Sequence, residues 1–167
     1  MIGSHWFPAY VGIGSNLDNP EDQVRRAIAA LKDLPDSICV SESGLYRSAP
    51  LGPAGQPDFV NAVAGLVTRL AARELLEKLQ QIERNQGRKR HGELWGPRTL
   101  DLDLLAYDGQ VTSEDDLVLP HPGIAERNFV LLPWQEIAPT YRVPGLAEVA
   151  ELAASISTSN PRIERIE

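Results

Sequence analysis

Two helical stripes set among four short apolar runs constrain this chain more than any other feature. Val24, Ala27, Ile28 and Leu31 recur at three- and four-residue steps, as do Leu75, Leu76, Leu79 and Ile82. Each set lines one face of an amphipathic helix. Asn19 reads as the N-cap of the first, with Pro20 at its first position and Glu21 and Asp22 in its first turn. Pro35 stops it. Gly87 is the expected stop of the second, which spans 71–85. Around them lie strand-like runs at 9–14, 38–46, 59–68 and 100–107, the first ending in a Gly14-Ser15-Asn16 turn and the last in an Asp108-Gly109 turn. Residues 47–58 hold three prolines and two glycines and form a loop. The order β-α-β-β-α-β predicts an α+β ferredoxin-like sandwich, with an antiparallel sheet and both helices on one face. A short strand at 117–120 and helices at 128–137 and 146–157 make a C-terminal helical extension.

A chain of 167 residues is expected to form one domain, here 9–157, with a polar, frayed tail at 158–167. Residues 1–8 carry no structural signal, and Gly3-Ser4-His5 is compatible with a cloning remnant. No apolar run approaches the length of a membrane span, and no basic segment precedes an apolar one as in a signal peptide. Cys39 is the only cysteine, which excludes an internal disulfide and a cysteine-rich zinc site. It reads as a small core residue and permits a reducing cytoplasm. The formal net charge of −7 argues against a general nucleic-acid binder. Nothing demands a dimer, so a monomer is expected.

Chemistry concentrates at Trp95-Gly96-Pro97-Arg98-Thr99-Leu100-Asp101-Leu102-Asp103. On a strand, Asp101 and Asp103 share a face at roughly 6–7 Å, and Leu100, Leu102 and Leu104 take the other. An Asp-x-Asp alternation is also what the wet face of a half-buried strand looks like. The preceding segment favours a site: Arg88, Lys89, Arg90 and Arg98 accompany a single acid, Glu93. Paired carboxylates suit a hard divalent ion, above all Mg²⁺, and the arginine forks suit a polyphosphate such as ATP. There is no P-loop, and Gly12-Ile13-Gly14 lacks the third glycine of a dinucleotide fingerprint and reads as strand-end punctuation. Pro120-His121-Pro122 and Arg127-Asn128-Phe129 form a second cluster, in which His121 and Arg127 are candidate phosphate donors. The Tyr46–Gly52 loop and Asn61 offer donors and acceptors for the edge of a heterocycle. Phe59 and Phe129 are candidates to stack on it, although periodicity alone places both in the core.

Taken in order, these pieces resemble the 6-hydroxymethyl-7,8-dihydropterin pyrophosphokinase family of folate biosynthesis, from Ala9 to about Ile156. The matching blocks are Gly12–Leu17, Tyr46-Arg47-Ser48 with Pro50 and Gly52, Asp58–Ala62, Ile82-Glu83 with Gly87, Arg88 and Arg90, Trp95–Asp103, Pro120-His121-Pro122, Glu126-Arg127 and Phe129-Val130-Leu131. The resemblance implies transfer of a pyrophosphoryl group from ATP to the pterin hydroxymethyl oxygen, giving AMP. It implies that Asp101 and Asp103 hold two Mg²⁺ ions. Arg88, Arg90, Arg98, His121 and Arg127 would bind phosphates, the first two on a mobile loop that Gly87 and Gly92 leave free to close. Phe59 and Phe129 would sandwich the pterin, whose edge would meet Asn61 and the backbone of Ser48 and Leu51. Trp95 would pack at the closed site, and Leu76, Gln80, Glu83 and Leu104 would line the ATP pocket. Ser48 stands where the family commonly has threonine, and Leu94 where it often has arginine. Two other classes compete: a pterin- or nucleotide-binding module without catalysis, and a ferredoxin-like RNA-binding module. The acidic balance and the missing aromatic RNA-binding pattern disfavour the second.

Overall fold

A computed structural model describes residues 5–50, 55–87 and 100–167. Its strands are β1 (Phe7–Ser15), β2 (Ser37–Glu42), β3 (Tyr46–Ser48), β4 (Phe59–Thr68), β5 (Asp101–Tyr107), β6 (Thr112–Glu114), β7 (Leu117–Leu119) and β8 (Ile163–Arg165). Its helices are α1 (Pro20–Lys32), α2 (Ala72–Asn85), α3 (Asn128–Ile137) and α4 (Val149–Ser155). The main sheet is antiparallel and six-stranded, in the order β5-β1-β4-β3-β8, with β2 also on β4. This is the ferredoxin-like order that the sequence predicts.

The period of two along β4 divides the core. Val60, Ala62, Ala64 and Leu66 pack with Val24, Ala27, Ile28 and Leu31 of α1 and with Leu75, Leu79 and Ile82 of α2. Val63 faces the other way and packs with Val130, Leu131 and Trp134 of α3 and with Val149 and Ala153 of α4. The extension therefore closes the second face of the sheet, but over only part of its length. Trp134 anchors it, fully buried and stacked on Tyr141 at 5.7 Å. Among the described residues no helix is long and apolar enough to cross a membrane.

Four local expectations are corrected, and one is kept. The first strand does not end at Gly14, because β1 is central: Gly14 pairs with Asn61 on one side and Asp101 on the other. Asn19 takes the N-cap position expected of it, with no side-chain cap bond. It sits with Asp18 in the left-handed region (φ 65° and 54°), and Pro20 opens the helix. The 38–46 run is two strands, broken where Ser43 leaves the ladder and trades hydrogen bonds with Val63 through both its backbone and its hydroxyl. The last helix is shorter than 146–157, since 142–148 turns back through an Arg142–Glu148 bridge with Gly145 at φ 76°. The tail is not frayed: Ile163–Arg165 pairs with β3. Cys39 is half-buried against the α1 side of the core.

Candidate active site

The end of the second sheet face that α3 and α4 leave open carries the chemistry. Asp101 and Asp103 share that face, while Leu102 and Leu104 are buried beneath α1 and α2. Register places Asp101 beside Gly14 and Asp103 beside Gly12. Across β1, Gly14 faces Asn61 and Gly12 faces Val63. Gly14 thus leaves a floor between the acidic strand and the strand of Phe59 and Asn61, while the Leu105 side chain covers Gly12, 3.3 Å from where a Cβ would lie. A Cβ at Gly14 would lie 3.3 Å from Asn61 Oδ1 and 3.9 Å from Phe59. Reading Gly12-Ile13-Gly14 as punctuation misses this. The signal was the two-residue spacing, which puts both glycines on one face of a strand.

The chain returns to the acidic strand after β7. The His121 amide donates to Leu105 O at 2.9 Å, which brings the imidazole Nε2 to 3.9 Å from Asp103 Oδ1. Arg127 reaches within 3.8 Å of the other Asp103 oxygen, and its guanidinium lies 5.9 Å from the centre of the Phe129 ring. His121 Nδ1 accepts the Gly123 amide at 3.2 Å, so the neutral ring carries its proton on Nε2, the atom nearest Asp103. Burial, then the Arg127 charge, lowers the His121 pKa to about 4 against an opposing pull from Asp101. A folded pKa below the unfolded value of 6.5 means that the unfolded chain takes up the proton first. Without metal, stability should therefore fall as pH drops from about 6.5 towards 4 and level off below that, by roughly 3 kcal/mol. Denaturant melts in EDTA at pH 7 and pH 4 should show that excess loss relative to His121→Asn. Equal losses in the two proteins would show that His121 titrates normally.

On the opposite wall, Asn61 Nδ2 donates to Ser48 Oγ at 2.8 Å, both residues being buried. This leaves the Asn61 carbonyl oxygen on the side of Gly14. Phe59 is half-buried on the same face, and Phe129 is half-buried in the first turn of α3. Glu83 is buried, and its carboxylate accepts the Leu102 amide at 2.8 Å, fixing the backbone between the two aspartates. Leu76, Gln80 and Glu83 follow one face of α2. Leu104 is buried on the α1/α2 side of the sheet, not on the face of the aspartates. Leu51, Arg88, Arg90, Leu94, Trp95 and Arg98 lie outside the described residues.

The donor set can be tested against a metal. Among the described residues no group of three or more His, Cys, Asp or Glu could cage an ion. Two carboxylates on one face are instead what Mg²⁺ takes when phosphate and water complete its shell. The residues fit that ion.

Residues 10–139 match the family model described as 7,8-dihydro-6-hydroxymethylpterin-pyrophosphokinase. A 2-amino-4-hydroxy-6-hydroxymethyldihydropteridine pyrophosphokinase of Pseudomonas aeruginosa is 47% identical over 146 residues, covering 87% of this chain and 90% of that protein. Its Haemophilus influenzae counterpart is 43% identical over 144 residues, covering 86% and 89%. Among solved structures, a Plasmodium falciparum HPPK-DHPS chain with pterin and p-hydroxybenzoate aligns with TM-score 0.71 at 11% identity. The match covers 91% of this chain and 44% of that one, and it shows the fold alone.

Proposed function

This chain belongs to the 7,8-dihydro-6-hydroxymethylpterin-pyrophosphokinase family, and we propose how its residues divide the work. The reaction is transfer of pyrophosphate from ATP to the hydroxymethyl group of 6-hydroxymethyl-7,8-dihydropterin, giving AMP and the pterin diphosphate in folate biosynthesis. What supports the division is the floor at Gly14, with the Asp101–Asp103 wall on one side and the Asn61–Ser48 wall on the other.

In this reading Asp101 and Asp103 hold two Mg²⁺ ions. Once bound, such ions neutralise phosphate charge and polarise the acceptor oxygen. His121, neutral at pH 7, offers its Nε2–H to a phosphate oxygen, and Arg127 supplies a fixed positive charge beside it. Arg88, Arg90 and Arg98 supply further forks for the triphosphate, and Trp95 packs at the closed site. Asn61 donates one of its two amide hydrogens to Ser48, and its oxygen, on the side of Gly14, is the acceptor for a pterin N–H. The backbone of Ser48 and Leu51 meets the same edge, and Phe59 and Phe129 take the ring faces. Gln80 and Leu76 line the nucleotide side, while Glu83 holds the strand. The reading includes a monomer in the cytoplasm.

Nucleotide products test it. ATP and Mg²⁺ with 6-hydroxymethyl-7,8-dihydropterin should give AMP and no ADP, and omitting the pterin should abolish the AMP. ADP would place the phosphates in a different register over the aspartates. A folded sample without turnover would favour the binding module.

A further inference from the structure

We propose that the segment Thr158–Glu167 is a positioning clamp for the pterin half of the site, an inference that rests on the assignment of Ser48, Asn61 and Phe129 made above. The segment fastens two walls that come from distant parts of the chain. On one side β8 pairs with β3, setting Ile163 opposite Ser48 and Arg165 opposite Tyr46. Pairing runs on at both ends: Ala49 N donates to Arg162 O at 2.9 Å, and Ile166 N donates to Leu45 O at 2.8 Å. Without β8, a strand of three residues would be held by β4 alone and would form a sheet edge. Ser48, which receives the Asn61 amide, lies on that strand.

On the other side the clamp grips the start of α3. Asn128 is fully buried between Arg127 and Phe129, and its amide nitrogen donates to Pro161 O in the segment and to Ser157 O just before it, each at 2.8 Å. Two carbonyl acceptors require the nitrogen at that position. A third tie joins the walls: Glu136 of α3 accepts from the Gly44 amide (2.9 Å), the Tyr46 hydroxyl (2.7 Å) and Arg165 (3.1 Å). Burial and the Glu136 carboxylate push the Tyr46 phenol up to about 12, so it remains a donor. The placement of Ser48 relative to Phe129 in the proposed pterin site is thus held by this peripheral segment together with the direct ties from Glu136 to Gly44 and Tyr46. Asp101 and Asp103 are held separately, by β1 and by Glu83.

Two variants test this, a chain ending at Ser157 and the full chain with Asn128→Asp. The aspartate keeps the shape but sets oxygen against both carbonyls. Calorimetry would follow 6-hydroxymethylpterin and, separately, a non-hydrolysable ATP analogue with Mg²⁺, with thermal melts reporting folding. Both variants should bind the pterin at least tenfold more weakly, with a clearly smaller loss for the nucleotide, which shares only Arg127 with this wall while Asp101 and Asp103 are held elsewhere. Unchanged pterin affinity in a folded variant overturns the clamp, as does equal weakening of both ligands, which a general loss of structure would give. If the shortened chain does not fold, Asn128→Asp decides alone. A parent chain that binds nucleotide but no pterin overturns the site assignment, and the clamp with it.

Discussion

Asp101→Asn and Asp103→Asn are each expected to lower kcat by at least about 10³-fold, equivalent to ~4 kcal/mol of transition-state stabilisation, while the fold survives. The size follows from what the carboxylates do in the proposed site. A triphosphate held by arginines alone still carries its developing charge against the acceptor oxygen, and phosphoryl transfer depends almost entirely on positioning and charge neutralisation. Asparagine keeps the shape and removes the anion that a hard cation needs. The fold should tolerate it, because asparagine keeps the side-chain shape and neither carboxylate is buried in the core. The check is steady-state AMP production together with melting curves with and without Mg²⁺ and ATP. The parent should gain stability from the pair of ligands, and the variants should gain markedly less. Full turnover in either variant would remove that residue from the metal site.

What the sequence made legible follows from the range of each signal. Helix faces and strand alternation are local, so α1, α2, β4 and β5 were readable, and with β5 came the shared face of Asp101 and Asp103. Their surroundings are set by pairing between distant segments. Nothing near Gly14 says that β1 will be central, and only its neighbours on both sides turn that glycine into a floor. The nearness of His121 to Asp103 depends on one backbone bond from His121 to Leu105. The tail was misread because Arg162-Ile163-Glu164-Arg165 is polar. An edge strand needs no apolar face when its worth lies in backbone bonds and in charges that meet Arg47 and Glu136. Asn128 gave no signal, since its two acceptors lie 29 and 33 residues away. Leu51 and the basic segment of Arg88, Arg90, Trp95 and Arg98 rest on the family resemblance and the chemistry of their side chains.

The floor gives the second large effect: Gly14→Leu should cost at least about 100-fold in kcat/KM for the pterin, or ~2.7 kcal/mol, without loss of stability. Gly14 does not adopt a positive φ, so a side chain meets no backbone strain there, and replacing a strand glycine ordinarily gains roughly 0.5–1 kcal/mol. The harm is confined to space. A Cβ at this position already lies 3.3 Å from Asn61 Oδ1, tight enough that the amide must give by a few tenths of an ångström. Leucine then fills the gap between the Asp101 and Asn61 strands, where the pterin ring is proposed to lie. Gly14→Ala separates the two contributions, because it adds the close contact but leaves the slot open, and it should cost less than about tenfold. Kinetics with pterin varied at saturating ATP, beside denaturant melts, would read both quantities. A leucine variant that turns over normally would move the substrate off this floor. A variant that loses stability as well as activity would mean that Gly14 serves packing and not the slot. The combination expected of a binding floor is an inactive enzyme at least as stable as its parent.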